Sequence, residues 1–91
     1  LMEFIGTIRK IYPLTEGTSK STGNAWKCME FVVETEDKYP QTACFQLMND
    51  NCTRFEIKEG EKVNVQFDIR CREWEGKSYN TLTAWKITKI Q

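Results

Sequence analysis

"NDNCTRFEIKEGEK", Asn49 to Lys62, interrupts a chain that otherwise alternates apolar and polar residues like a series of β-strands. Asn49, Asp50 or Asn51 suits the cap of a short helix in which Cys52, Phe55 and Glu56 fall on neighbouring turns, and Gly60 closes the segment. What flanks this helix decides the fold.

Three strands precede it. "MEFIGTIRKIYPL", from Met2, carries Phe4, Gly6 and Ile8 on one side and Ile5, Thr7 and Arg9 on the other. Both sides are partly apolar, as in a strand that curves and is covered twice, and Gly6 marks a bulge or a close backbone approach. Pro13 ends the pairing. "TEGTSKSTGN", Thr15 to Asn24, has no apolar residue and reads as a flexible loop with Lys20 at its middle. The second strand, "WKCMEFVVETED", turns Met29, Phe31 and Val33 one way and Trp26, Cys28, Glu30, Val32 and Glu34 the other. "TACFQLM" follows, with Phe45 and Leu47 inward and Cys44, Gln46 and Met48 outward.

Two strands follow the helix. In "VNVQFDIRC" the alternation puts Val63, Val65, Phe67, Ile69 and Cys71 inward and Asn64, Gln66, Asp68, Arg70 and Arg72 outward. "EWEGKS" supplies a turn and "YNTLTAWKITKI" returns, with Trp85 expected in the core. Three strands, a short helix, then two strands is the order of an all-β, five-stranded OB-fold barrel, with an SH3-like barrel as the competitor. Closure also removes edges that long strands would otherwise expose.

Composition bounds the function. At 91 residues the chain is expected to form one domain, residues 1–91. Leu1 before Met2 reads as a cloning remnant, which makes Met2 the native start and the cytoplasm the expected location. No apolar run approaches the roughly 20 residues needed to span a bilayer, so no membrane partner is expected. The absence of histidine removes most acid–base and nucleophilic constellations, and no Gly-rich phosphate loop is present. A non-catalytic protein without cofactor is the expectation. Cys28, Cys44, Cys52 and Cys71 are scattered singly, which argues against a zinc site and for buried thiols.

Thirteen basic and thirteen acidic residues cancel, so any attraction for a polyanion must be local. The densest candidate is "RCREWEGKSYNTLTAW", Arg70 to Trp85. Arg70 and Arg72 share one strand face roughly 7 Å apart, close to the spacing of phosphates on a stretched single strand. Trp74 and Tyr79 flank the turn and offer flat faces for stacking bases, or for packing on each other; Lys77 stands at the tip. Trp26, with Lys27 beside it, is either a barrel-mouth core residue or a further platform. Glu30, Glu34 and Glu36 line the outward face of the second strand, where they oppose a polyanion; ion pairs with Glu30 or Glu34 are the alternative reading of Arg70 and Arg72.

Two passages carry a family resemblance. "FIGTIRKI" resembles the opening strand of bacterial single-stranded-DNA-binding proteins, with its glycine at Gly6. "EIKEGEKVNVQFDIRCREWEGKSYNT" resembles their helix-to-hairpin passage, with Trp74 at a stacking position. The length and the "TLTAW" ending look closer still to a short, uncharacterised branch. Thr42 stands where those proteins commonly have an aromatic. The resemblance implies single-stranded DNA or RNA as ligand with little sequence preference, a homo-oligomer (dimer or tetramer), and replication, repair or recombination proteins as partners. Trp26, Lys27, Arg70, Arg72, Trp74, Lys77 and Tyr79 form the candidate binding set. The alternative is an OB-fold protein-interaction or assembly module that binds no nucleic acid.

Overall fold

The structure is a computed structural model that describes residues 2–90; Leu1 and Gln91 lie outside the described residues. Strands β1 (Met2–Ile11), β2 (Thr15–Thr18), β3 (Ala25–Glu34) and β4 (Thr42–Met48) lead to a one-turn helix α1 (Asn51–Arg54). Strands β5 (Lys62–Trp74) and β6 (Lys77–Lys89) follow. The sheet order is β1-β5-β6-β4-β3-β2, and a further β1–β3 pairing closes β1, β5, β6, β4 and β3 into a ring of five. With α1 between the third and fourth strands of that ring, this is the OB-fold barrel.

β1 closes the ring because it curves. Its first half pairs with β5 (Met2 with Phe67 through Thr7 with Lys62), and its second half with β3. Gly6 lies at the crossing: a Cβ there would press into the Glu34 backbone, 2.8 Å from its carbonyl carbon. Only glycine allows that approach. Next to it Arg9 is an extra residue, since Ile8 pairs with Val33 but Lys10 already pairs with Val32.

Ile8, Phe31, Val33, Phe45, Leu47, Val63 and Val65 are fully buried in the barrel. Phe45 is the hub, with ring centroids 5.5 Å from Phe4, 5.7 Å from Phe31 and 5.0 Å from Phe67. Each such ring or branched side chain contributes about 1.5–3 kcal/mol on burial.

Several expectations are corrected. Thr15 to Asn24 is not wholly loop: Thr15–Thr18 forms β2, which adds to the free edge of β3. The segment lacks apolar residues of its own but borrows one, since the Trp26 indole lies against Gly17, its partner in the register. The helix is shorter than its sequence implies: Phe55 is already extended, and Asp50 at the cap makes no side-chain hydrogen bond. Asn49 instead accepts a hydrogen bond from the Lys27 amide on its Oδ1 (3.2 Å), tying the helix entrance to β3.

Ile69 and Cys71 are exposed, although the alternation of β5 points them inward; Ile69 is 48% exposed. The β5–β6 hairpin runs on beyond the buried part of the barrel, so the face that is core at Val65 is open to water at Ile69. Trp85, expected in the core, is 39% exposed. It is the extra residue of a bulge, with Gln66 opposite Lys86 and Phe67 opposite Ala84. Of the cysteines only Cys52 is buried, while Cys44 and Cys71 are exposed; all four are free thiols.

Candidate nucleic-acid interface

The register of the barrel strands sets which side chains share its outer surface. Residues paired across neighbouring strands point to the same side. Glu30 faces Gln46, Gln46 faces Thr83, and Thr83 faces Asp68, which makes one row across β3, β4, β6 and β5. Val32 faces Cys44, and Thr81 faces Arg70, two residues further along those strands. Arg72 opposite Tyr79 and Trp74 opposite Lys77 continue the β5–β6 part of the surface outward. Arg70, Arg72, Trp74, Lys77 and Tyr79 therefore occupy one face of one hairpin, continuous with the outward face of β3 and β4.

A two-residue turn holds the tip. Glu75 and Gly76 both take positive φ (48° and 76°), as a type I′ turn requires, and its twist matches that of the flanking strands. Trp74 is 62% exposed and Tyr79 46%, so both rings present a face to water. Ion pairing leaves the arginines available. Glu34 binds Arg9 (2.6 Å), Glu36 binds Lys62 (3.2 Å), and Glu61 binds Lys89 (3.2 Å). Among the described residues Arg70, Arg72 and Lys77 form no ion pair.

Trp26 has the outward parity of Cys28 and Glu30 but stands at the far end of β3, half-buried against Gly17. Lys27 points to the opposite side, that of Met29 and Phe31, and its amide faces the helix entrance. The sequence neighbours Trp26 and Lys27 are thus separated by the strand itself. Tyr39 is exposed on the β3–β4 turn, its ring centroid 5.7 Å from the Lys38 ammonium.

Tyr12 is the side chain that sequence reasoning missed. Counting in twos from buried Ile8 points Lys10 and Tyr12 into the barrel. The bulge at Arg9 reverses this, so Ile11 packs on the core and Tyr12 comes out beside Glu30, to whose carbonyl its amide donates (2.9 Å). Tyr12, Pro13, Thr15, Cys28 and Glu30 line a cavity of about 390 Å³. On the other side of Glu30 a second cavity, of about 210 Å³, opens where β4 and β6 part, lined by Cys44, Gln46, Asn80 and Thr81 among others. The two form a groove across the sheet, with Tyr12 on one wall and the hairpin on the other.

The groove floor mixes a carboxylate with thiols. The Cys44 thiol donates to Glu30 Oε2 (3.4 Å). Partial burial, that hydrogen bond and the neighbouring negative charge push its pKa to about 11. Burial and the Glu30 charge likewise raise Cys28. Both are protonated near neutrality, so neither adds negative charge to the groove. Among the described residues no three His, Cys, Asp or Glu side chains converge as a metal site would need, and no helix is long and apolar enough to cross a membrane.

A closed five-stranded barrel with a groove between its β1–β2 connection and its last hairpin is the architecture of the OB fold, whose members bind oligonucleotides or oligosaccharides across this region. The chain belongs to DUF3127, a domain of unknown function, whose profile matches residues 3–88. Among curated proteins none matches the sequence. Solved structures share the fold at low identity. The mitochondrial single-stranded-DNA-binding protein Rim1 of S. cerevisiae is 19% identical at a TM-score of 0.70, over 99% of this chain and 94% of that one. The single-stranded-DNA-binding protein of Thermus aquaticus is 14% identical at a TM-score of 0.71, over 98% of this chain and 48% of that one. The dimeric N-terminal domain of PriB from Thermoanaerobacter tencongensis is 15% identical at 0.68, over 99% and 94%.

Proposed function

We propose that this protein binds single-stranded DNA, without catalysis, along the outward face of β3, β4, β6 and β5. Arg70, Arg72 and Lys77 meet phosphates while Trp74 and Tyr79 stack with bases. Stacking needs no particular base, because every base has a π-face, so the hairpin itself imposes little sequence preference. Trp26 and Tyr12 extend the track at the other end of the groove. Lys27 is left out by its side of β3. The fold shared with single-stranded-DNA-binding proteins and the exposed, unpaired state of the hairpin cations support this reading.

One observation carries it: the register gathers Arg70, Arg72, Trp74, Lys77 and Tyr79 onto a single face. Titration of the protein with oligothymidine at low salt, followed by tryptophan fluorescence and anisotropy, is the test. Quenching that Trp74→Ala diminishes is expected. No response at tens of micromolar protein, an order chosen from the weak non-specific range, would sink the proposal.

A second reading is favoured by the hairpin's other face. Ile69 pairs with Leu82, and Met2 pairs with Phe67 next to them; Met2 and Ile69 are both exposed. An uncovered apolar patch at one end of a barrel suits association with another subunit. Light scattering with and without oligonucleotide separates the two functions: a stable oligomer that Ile69→Glu dissociates, together with no oligonucleotide response, belongs to an assembly module.

A further inference from the structure

Glu30 is an unexpected side chain for the floor of a nucleic-acid groove. It lines both cavities, and among the described residues no cation pairs with it. A carboxylate repels a phosphate but accepts hydrogen bonds from the edge of a base. Next to it, Tyr12 and Pro13 form an apolar wall, and the Lys10 ammonium stands 4.7 Å from the tyrosine ring centroid, able to meet the phosphate of a nucleotide seated there.

We propose that the cavity lined by Tyr12, Pro13, Thr15, Cys28 and Glu30 takes a guanine base, and that Glu30 reads it. This rests on the single-strand binding proposed above. The Watson–Crick edge is free in a single strand, and guanine presents two adjacent donors there, N1–H and the N2 amino group. A carboxylate matches that pair with its two oxygens in a bidentate contact. Cytosine and adenine each set their amino group beside a ring nitrogen lone pair, which the carboxylate repels. Thymine sets its single N–H between two carbonyls. The bond from Cys44 to Oε2 orients the carboxylate and leaves lone pairs on both oxygens, since an ionised carboxyl group has about four acceptor sites. Base selection is confined to this one position, while the hairpin stacks indifferently.

The test uses a labelled oligothymidine of about 12 nucleotides, within the length one OB barrel covers, followed by anisotropy in low-salt lithium buffer, which discourages guanine self-association. Every third thymine is replaced by guanine, by inosine, which keeps N1–H but lacks the amino group, or by adenine. The guanine oligomer is expected to bind about tenfold tighter than the adenine and thymine ones, with inosine between. In Glu30→Gln the guanine-to-thymine ratio falls to near one. Equal affinity for all four oligomers in the native protein, or a guanine preference that survives Glu30→Gln, overturns the inference. If that equal binding still weakens with Trp74→Ala, the single-strand reading stands and only base selection falls. No binding of any oligomer removes both.

Discussion

Tyr79 stands directly opposite Arg72 across the β5–β6 hairpin, with Trp74 two residues beyond Arg72 on the same face. A flat ring beside a guanidinium is the pairing that single strands exploit, with the base on the ring and the phosphate on the cation. Trp74→Ala is expected to cost about 1–3 kcal/mol of binding free energy to oligothymidine. Tyr79→Phe keeps the ring and should lose little, whereas Tyr79→Ala should resemble the tryptophan variant. Equal binding by native, Trp74→Ala and Tyr79→Ala proteins in an anisotropy titration would remove the hairpin from the interface.

The arginines are tested by salt. Each phosphate contact removed should flatten the slope of log affinity against log salt by about 0.7 for a single strand. Arg70→Ala and Arg72→Ala are each expected to show that change, and together about twice it. Lys27→Ala, on the other side of β3, should leave the slope as it is. A flattening by Lys27→Ala alone would place the track on the helix side of the barrel.

Gly6 is where β1 passes from β5 to β3, and its missing side chain lets the strand approach the Glu34 backbone. Backbone cannot yield as a flexible side chain does. Gly6→Ala is expected to destabilise the fold by about 1–3 kcal/mol, the usual range for overpacking, read as a lower urea midpoint with unchanged slope. A neutral result would mean that β1 has room to move at the crossing.

The Cys44 thiol rises from the ordinary 9.0 to about 11, first through partial burial of the thiol and then through Glu30. Between those values the folded chain keeps a proton that the unfolded chain has lost. The contribution of Cys44 to stability is therefore complete below pH 9 and declines as pH rises toward 11. Denaturation midpoints measured across that window should fall less steeply in Cys44→Ser than in the native protein. Alkylation at pH 9 should be slow at Cys44 for the same reason. Rapid alkylation there would show that Glu30 and its surroundings do not hold the proton.

The helix between the third and fourth barrel strands, and the inward sets Phe31–Val33, Phe45–Leu47 and Val63–Val65–Phe67, were legible because strand periodicity is a local property. So was the cluster of cations and rings around the hairpin turn, and the register confirms that they share a face. β2 was hidden: its polar residues acquire strand structure only by pairing with the edge of β3, over the Trp26 indole.

Alternation states which residues lie on the same side of a ribbon, and that much is written in the chain of side chains alone. It is silent on whether anything covers that side, and on where one inserted residue reverses the count. The overhang of the hairpin left Ile69 and Cys71 in water. The bulge at Trp85 sent Ile87 rather than Lys86 toward the core, and the bulge at Arg9 brought Tyr12 out beside Glu30. These depend on how strands distant in sequence meet around a closed barrel, because the length of each strand and the place of each bulge answer to the ring as a whole.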